Sequence, residues 1–138
     1  MIRHWAFEYI GKPWRSGATG PDAYNCWGLV REVFLRRHGL PLPMVDVGTE
    51  ANFQRLRGAV TAGGWARTEA APAVDDVIVM RSAAGRHVGV LVEADSLLRV
   101  LHANGHQTLK GPTGTVMVQS LLELASGGYS EFEFWRRA

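Results

Sequence analysis

One cysteine and two histidines carry the strongest chemical signal in this chain. Cys26 is the single cysteine, and it stands where a loop rich in Gly, Pro and Asp gives way to an apolar segment with helical spacing. At a helix N-terminus, unpaired backbone N–H groups and the helix dipole can lower a thiol pKa well below its free value of about 8.5. His87 and His102 follow on strand-like segments. A nucleophilic cysteine, a basic histidine and a polar residue to orient it therefore occur in that order.

Each of these residues also has an ordinary structural explanation. A lone cysteine is more often a small buried hydrophobic residue than a nucleophile. A histidine at the start of a strand can simply face solvent, and Asn104 and His106 compete with His102 for the orienting role. Cysteine and histidine also bind zinc, but zinc ligands usually come as close pairs, and the spaced pair His102 and His106 falls in a predicted strand and turn. A metal site is the weaker hypothesis, and no cofactor is expected.

A helix that starts near Cys26 must hold the thiol. Asn25 is a good N-cap, and Gly39 with Pro41 ends the helix after about His38. Apolar residues recur at helical spacing and form one face: Leu29, Val30, Val33 and Phe34. We therefore expect the thiol to sit on a helix that is well anchored to the core.

The remaining segments predict two short helices and a series of strands. Residues 2–10 predict a helix that Gly11 ends, and residues 49–60 predict another between Gly48 and the glycine pair at 63 and 64. Strands are predicted at residues 77–80, 87–92, 97–103, 116–119 and 129–135. Helices first and strands afterwards indicate an α+β domain, in which N-terminal helices pack on an antiparallel β-sheet of about five strands.

The alternation of side chains along a strand places both histidines on one sheet. His87, Gly89 and Leu91 point to the same side of their strand, and His102 shares a face of the next strand with Val100. Gly89 leaves space on the histidine face. We expect the N-terminus of the Cys26 helix to press close there and to bring the thiol within hydrogen-bond reach of His87.

Taken together, three segments in this order resemble the NlpC family of papain-like cysteine peptidases. They are NCWGLVR at residues 25–31, RHVGV at residues 86–90 and LHA at residues 101–103, and the resemblance runs from about Trp5 to Ala103. It implies a papain-like α+β fold as a single domain over residues 1–138. It also implies a cell-wall endopeptidase that cuts peptide bonds in peptidoglycan stems, with Cys26 as nucleophile, His87 as base and His102 as the orienting residue.

Within that family the chain looks most like versions carried by tailed bacteriophages, on the wording NCWGLVR and DVIVMR at residues 76–81. The N-terminus lacks the long apolar core of a secretory signal. We therefore expect a phage or prophage tail component, made in the cytoplasm without a signal peptide, that acts at the cell wall beside other tail proteins. The alternatives are a structural tail-assembly module with weak or no catalysis, and a thiol amidase or acyltransferase.

The chain departs from the family around the nucleophile. Asn25 and Trp27 stand where many cell-wall members have an acid and a serine, and the loop pattern PYRWGG is PWRSGA at residues 13–18. Without the acid, recognition of a free N-terminal amine is doubtful. We expect Asn25 and three aromatic residues, Trp14, Tyr24 and Trp27, to contact the substrate and shape an apolar-walled cleft, unless the aromatic residues simply pack.

Composition sets outer limits on these hypotheses. With 138 residues, 46% of them hydrophobic, the chain can bury a sizeable core without metals or disulfides. A net charge of +2 is compatible with an anionic wall polymer but too small to indicate nucleic-acid binding. No segment approaches the length of a membrane span.

Overall fold

The computed structural model describes residues 4–45 and 49–137. The α-helices are α1 (Cys26–His38), α2 (Glu50–Ala62) and α3 (Leu121–Ser126). The strands are β1 (Trp65–Thr68), β2 (Val77–Ser82), β3 (Gly85–Ala94), β4 (Leu97–Thr108), β5 (Gly111–Gln119) and β6 (Ser130–Arg137). A single 3₁₀ turn, Trp5–Glu8, replaces the helix predicted at residues 2–10, of which residues 2 and 3 lie outside the described part.

The strands form one antiparallel sheet in the order β1-β6-β2-β3-β4-β5. This confirms the prediction of an α+β domain with helices packed on an antiparallel sheet. The sheet has one strand more than expected, because β1 was missed: of its four residues only Trp65 is buried, which leaves no apolar pattern to detect. Helix α3 was also missed, since its six residues are too few for a helical period; a reciprocal capping box between Ser120 and Glu123 starts it.

The predicted bounds of α1 are confirmed. The Asn25 side chain accepts a hydrogen bond of 2.6 Å from the Gly28 N–H, which satisfies one of the unpaired donors of the first turn. Gly39 takes the left-handed conformation, with φ of 61°, and closes the last turn. A side chain at Gly28 would collide with the carbonyl of Ala18, so this glycine lets the preceding loop pack directly on the helix.

Opposite sides of the sheet bury different cores. On the α1 face, strand residues such as Val88, Val90 and Leu101 pack with α1 residues including Leu29 and Val33. On the α3 face a smaller cluster lies beneath α3, and it contains Ile78, Met80, Leu91, Val100 and Leu124. Because neighbouring residues of a strand point to opposite sides, β3 and β4 contribute to both cores.

The loop before α1 runs along the outer edge of β5. The Gly11 N–H donates to the Val116 carbonyl at 2.9 Å, and the Val116 N–H donates to the Lys12 carbonyl at 2.8 Å. Further along, the Trp14 N–H donates to the Gly114 carbonyl at 3.0 Å. These bonds cover an edge strand that would otherwise present unpaired backbone groups, and they fix the path of the chain towards Cys26.

Helix α2 is the helix that was predicted at residues 49–60. The Thr49 side chain caps it, and the predicted boundary residue Gly48 lies outside the described residues. Arg86 of β3 lies over the Phe53 ring at 4.7 Å and contacts the Glu50 carboxylate at 3.3 Å, so α2 is tied to the strand residue that precedes His87. In the described part of the chain, no helix combines the length and the apolar character needed to cross a bilayer.

Candidate active site

Three side chains from adjacent strands form a hydrogen-bonded row on the α3 face. Nε2 of His87 lies 2.8 Å from Nδ1 of His102, and Nε2 of His102 lies 2.8 Å from Oε1 of Gln119. His102 is fully buried, and His87 is partly buried. The predicted placement of both histidines on one side of the same sheet is therefore what the structure shows. Gln119 was expected only as the end of a strand.

Gly89 has a different role from the one expected. A Cβ at this position would lie 2.7 Å from Cγ1 of Val100 and 3.1 Å from Cβ of His102, so the glycine makes room for β4. Helix α1 packs on the opposite side of the sheet, against Val88 and Val90. The expectation that the helix presses onto the histidine face at Gly89 is therefore wrong, and the glycine instead lets β4 bring His102 close to β3.

Tyr129, just before β6, covers the row of histidines. Its ring stacks on His87 with 5.2 Å between centroids and 24° between planes, and it meets His102 edge-on at 6.4 Å. Its hydroxyl donates to Oδ1 of Asn104 at 3.0 Å. Tyr129 was not predicted as a site residue, because no local motif surrounds it and its position depends on the register of β6 against β2.

Cys26 enters the same neighbourhood as the first residue of α1, where it is partly buried against the core. A negative charge on Cys26 raises the pKa of Tyr129, an effect second to the burial of the phenol. Cys26 and His87 therefore share Tyr129 as a neighbour. The structure brings the thiol, both histidines and this aromatic residue into one region; the catalytic roles of Cys26, His87 and His102 stay predictions.

Electrostatics keep both imidazoles neutral. Burial, and then the repulsion that a protonated His102 would exert, lower the pKa of His87 to about 3 from its usual 6.5. Burial also lowers the pKa of His102, opposed by its hydrogen bond to Gln119. At neutral pH the resting His87 is an uncharged base that can accept a proton.

Among the predicted substrate contacts, Trp14 and Asn25 are partly exposed. Trp14 is partly exposed and lies against Gly105, where any side chain would collide with Cβ and Cγ of the indole. Asn25 is partly exposed beside Cys26, and its side chain is engaged in capping α1. Their roles in substrate binding stay predictions.

Tyr24 and Trp27 are core residues. Tyr24 is 2% exposed, packs edge-on to Tyr9 with 5.8 Å between centroids, and has a pKa raised to about 12, chiefly by burial. Trp27 is 5% exposed, and its indole N–H donates to the Pro43 carbonyl at 2.8 Å. In this structure these two aromatic residues pack as the alternative explanation proposed, and they present almost no surface to a substrate.

Asn104 and His106, the other candidates for the orienting role, differ in their surroundings. Asn104 is hydrogen-bonded to Tyr129, whereas His106 is exposed further along β4. Within residues 4–45 and 49–137, no group of three or more His, Cys, Asp or Glu side chains is arranged to hold a metal ion.

Known proteins resemble this chain in sequence and in fold. The model of the NlpC/P60 family matches residues 11–125. The crystal structure of the NlpC/p60 domain of the peptidoglycan hydrolase SagA superposes with a TM-score of 0.57, covering 94% of this chain and 91% of that one at 23% identity. At that identity the structural likeness establishes the fold. No curated protein matches the chain significantly.

Proposed function

The chain belongs to the NlpC/P60 family, and from this premise we propose that it is a cysteine peptidase that hydrolyses an amide bond in peptidoglycan stem peptides. The observation that carries the proposal is the placement of Cys26 at the capped start of α1, beside the tyrosine that stacks on His87. Nucleophile, base and orienting residue are the parts that amide hydrolysis through a thioester needs.

The proposed reaction begins with attack of the Cys26 sulfur on the substrate carbonyl. Nε2 of His87 is engaged with His102, so the other ring nitrogen, Nδ1, takes the thiol proton. Collapse of the tetrahedral intermediate breaks the C–N bond, and His87 gives the proton to the leaving amine. Water then loses a proton to His87 and attacks the thioester. The C–S bond breaks, the acid product leaves, and His87 returns the proton to the sulfur, which restores the thiol.

The start of α1 supplies donors for the negatively charged oxygen of the intermediate. Asn25 accepts a hydrogen bond from the N–H of Gly28 and so fixes the first turn of α1. The Cys26 N–H, which is nearest to the reacting sulfur along the chain, is the donor we assign to the oxyanion. The positive end of the α1 dipole acts in the same direction.

The biological setting that we propose is the tail of a phage or prophage, from which the enzyme acts on the host cell wall among other tail proteins. The support is the sequence of residues 25–31 and 76–81, which resembles that of phage-borne versions of the family. Mass spectrometry of purified particles tests this setting. Detection of the chain in tails supports it, and its presence only in lysate without particles contradicts it.

Digestion of defined peptidoglycan fragments tests the activity. The wild-type chain and a His106→Ala control should generate new amine and carboxylate ends, detected by mass spectrometry, while Cys26→Ala and His87→Ala should not. His106 is a suitable control because it is exposed on the same strand as His102. Transfer of the acyl group to another amine would identify an acyltransferase. A folded wild-type chain that cleaves no stem chemotype would favour the structural tail module.

A further inference from the structure

Gln119 is the last residue of β5 and the end of the hydrogen-bonded row. We propose that Gln119 is a positioning residue that fixes the tautomers of His102 and His87, so that Nδ1 of His87 carries no proton and serves as the base. The inference rests on the proposed function, because it names what prepares His87 for that reaction.

The first step concerns the bond between Gln119 and His102. An amide oxygen can only accept, so the 2.8 Å contact between Oε1 and Nε2 of His102 places a proton on Nε2. Burial lowers the pKa of His102 and keeps its ring neutral. A neutral imidazole has one N–H, and Nδ1 of His102 is therefore a bare acceptor.

The second step concerns the bond between the histidines. With Nδ1 of His102 as acceptor, Nε2 of His87 must donate across the 2.8 Å contact. His87 is also neutral, since burial and His102 hold its pKa at about 3. Its single proton is then on Nε2, and the lone pair on Nδ1 is available for the thiol.

The surroundings of the two rings preserve this arrangement of protons. Tyr129 packs on both, and burial raises its pKa, so it brings no charge at neutral pH. Cys26 is a further titratable neighbour, since its charge acts on Tyr129. The opposite amide orientation would reverse every proton: Gln119 would donate to His102, His102 to His87, and Nδ1 of His87 would be protonated and unable to act as a base.

The substitution Gln119→Glu should change the proton positions along the hydrogen-bonded row in a pH-dependent way. A carboxylate beside Nε2 favours the imidazolium of His102, whose Nδ1 then donates to His87. Nε2 of His87 must accept, and its proton moves to Nδ1. Above the raised pKa of His102 the original order returns. The substitution Gln119→Leu, of similar size, removes the hydrogen-bond acceptor of His102 at every pH.

Nitrogen NMR of histidine-labelled protein reads the tautomers directly, without any substrate. In the wild-type chain at pH 7, we expect Nε2 to be protonated and Nδ1 to be bare on both His87 and His102. In Gln119→Glu we expect a doubly protonated His102 and a proton on Nδ1 of His87. A protonated Nδ1 on His87 of the wild-type chain would overturn the inference, and this measurement does not depend on any variant folding.

The pH dependence of Cys26 alkylation by iodoacetamide gives a kinetic counterpart. The pH below which the alkylation rate falls should rise by about one unit or more in Gln119→Glu. At pH 6 this variant should therefore react roughly tenfold more slowly than the wild-type chain, and its rate should recover at higher pH. Gln119→Leu should lower the rate at all pH values without that shift. Gln107→Glu, an equivalent change at an exposed position of β4, should match the wild-type profile. Equal losses without a shift in both Gln119 variants would indicate a merely structural role.

These outcomes separate the inference from the proposed function. Predicted tautomers and a shifted alkylation profile, together with intact peptidoglycan, would uphold the role of Gln119 and refute the peptidase. Peptidoglycan cleavage with a protonated Nδ1 on His87 would uphold the peptidase and refute the role of Gln119.

Discussion

The α1 face and the α3 face of the sheet are built from the same strands but are specialised differently. On β3, Val88 and Val90 join the large apolar core under α1, while His87, between Arg86 and Val88, belongs to the polar row on the other side. On β4, Leu101 and His102 divide in the same way. The α1 face therefore holds the larger apolar core, and the α3 face holds a smaller one beside a row of buried polar groups.

This division has an energetic basis. Apolar burial contributes about 25 cal/mol per Å², whereas a buried imidazole must be hydrogen-bonded and uncharged to avoid a penalty. The α3 face meets that condition by pairing His87, His102 and Gln119 in one row. Substitutions on the two faces should accordingly separate activity from stability.

The largest expected effect is on activity, from His87→Ala. Removing the proposed base should lower the rate of peptidoglycan cleavage by roughly 10²- to 10⁴-fold. Stability at neutral pH should fall by only about 1–3 kcal/mol, because Nδ1 of the buried His102 loses its partner while the α1 core is untouched. Cleavage rates with thermal unfolding of the same sample check both parts. A variant that loses stability and activity in proportion would show that the two faces are not separate in function.

The converse experiment is Phe34→Ala in α1. Phe34 is 4% exposed and packs edge-on to Trp65 at 5.2 Å between centroids, remote in sequence from the histidines. Its truncation should lower the free energy of unfolding by about 3–5 kcal/mol. Activity per folded molecule should be retained.

Chemical denaturation measures the stability loss of Phe34→Ala, and Leu109→Ala provides a control at a fully exposed hairpin residue. An inactive but normally stable Phe34→Ala protein would contradict the division between the faces. It would show that the α1 core influences the activity directly and does not only stabilise the domain.

The polar row should also make stability depend on pH. The pKa of His87 is about 3 in the folded chain and about 6.5 when unfolded. Between these values the unfolded state binds a proton that the folded state does not, so stability is fully present above pH 6.5 and falls as the pH drops. The slope from this group approaches about 1.4 kcal/mol per pH unit.

Urea unfolding between pH 4 and pH 8 measures that slope, and His87→Asn should reduce it. His106→Ala, at an exposed position, is the matched control. An unchanged slope in His87→Asn would mean that His87 is not held neutral by burial.

The two faces also differ in how far the sequence predicts them. Helix α1 was predicted with its bounds because Asn25, Gly39 and an apolar repeat are local signals. The shared side of His87 and His102 followed from strand alternation. Gln119 and Tyr129 reach the site through register, since Gln119 is 17 residues from His102 and Tyr129 is 25 from Asn104. Such contacts leave no local pattern in the sequence. The packing of β4 against Gly89 also depends on strand register, so it could not be predicted either.

The smallest expected effect separates the two contacts of Tyr129. Tyr129→Phe keeps the ring stacked on His87 and removes the hydroxyl that donates to Asn104. Losing one hydrogen bond of this kind costs about 1 kcal/mol of stability, and the cleavage rate should change less than tenfold. Tyr129→Ala also uncovers His87 to water, which should raise its pKa towards the usual value, because burial is the larger cause of its depression. The pH profile of cleavage should therefore move in Tyr129→Ala and stay in place in Tyr129→Phe. If both profiles move alike, the hydroxyl and its bond to Asn104 protect the histidine row, and the ring itself does not.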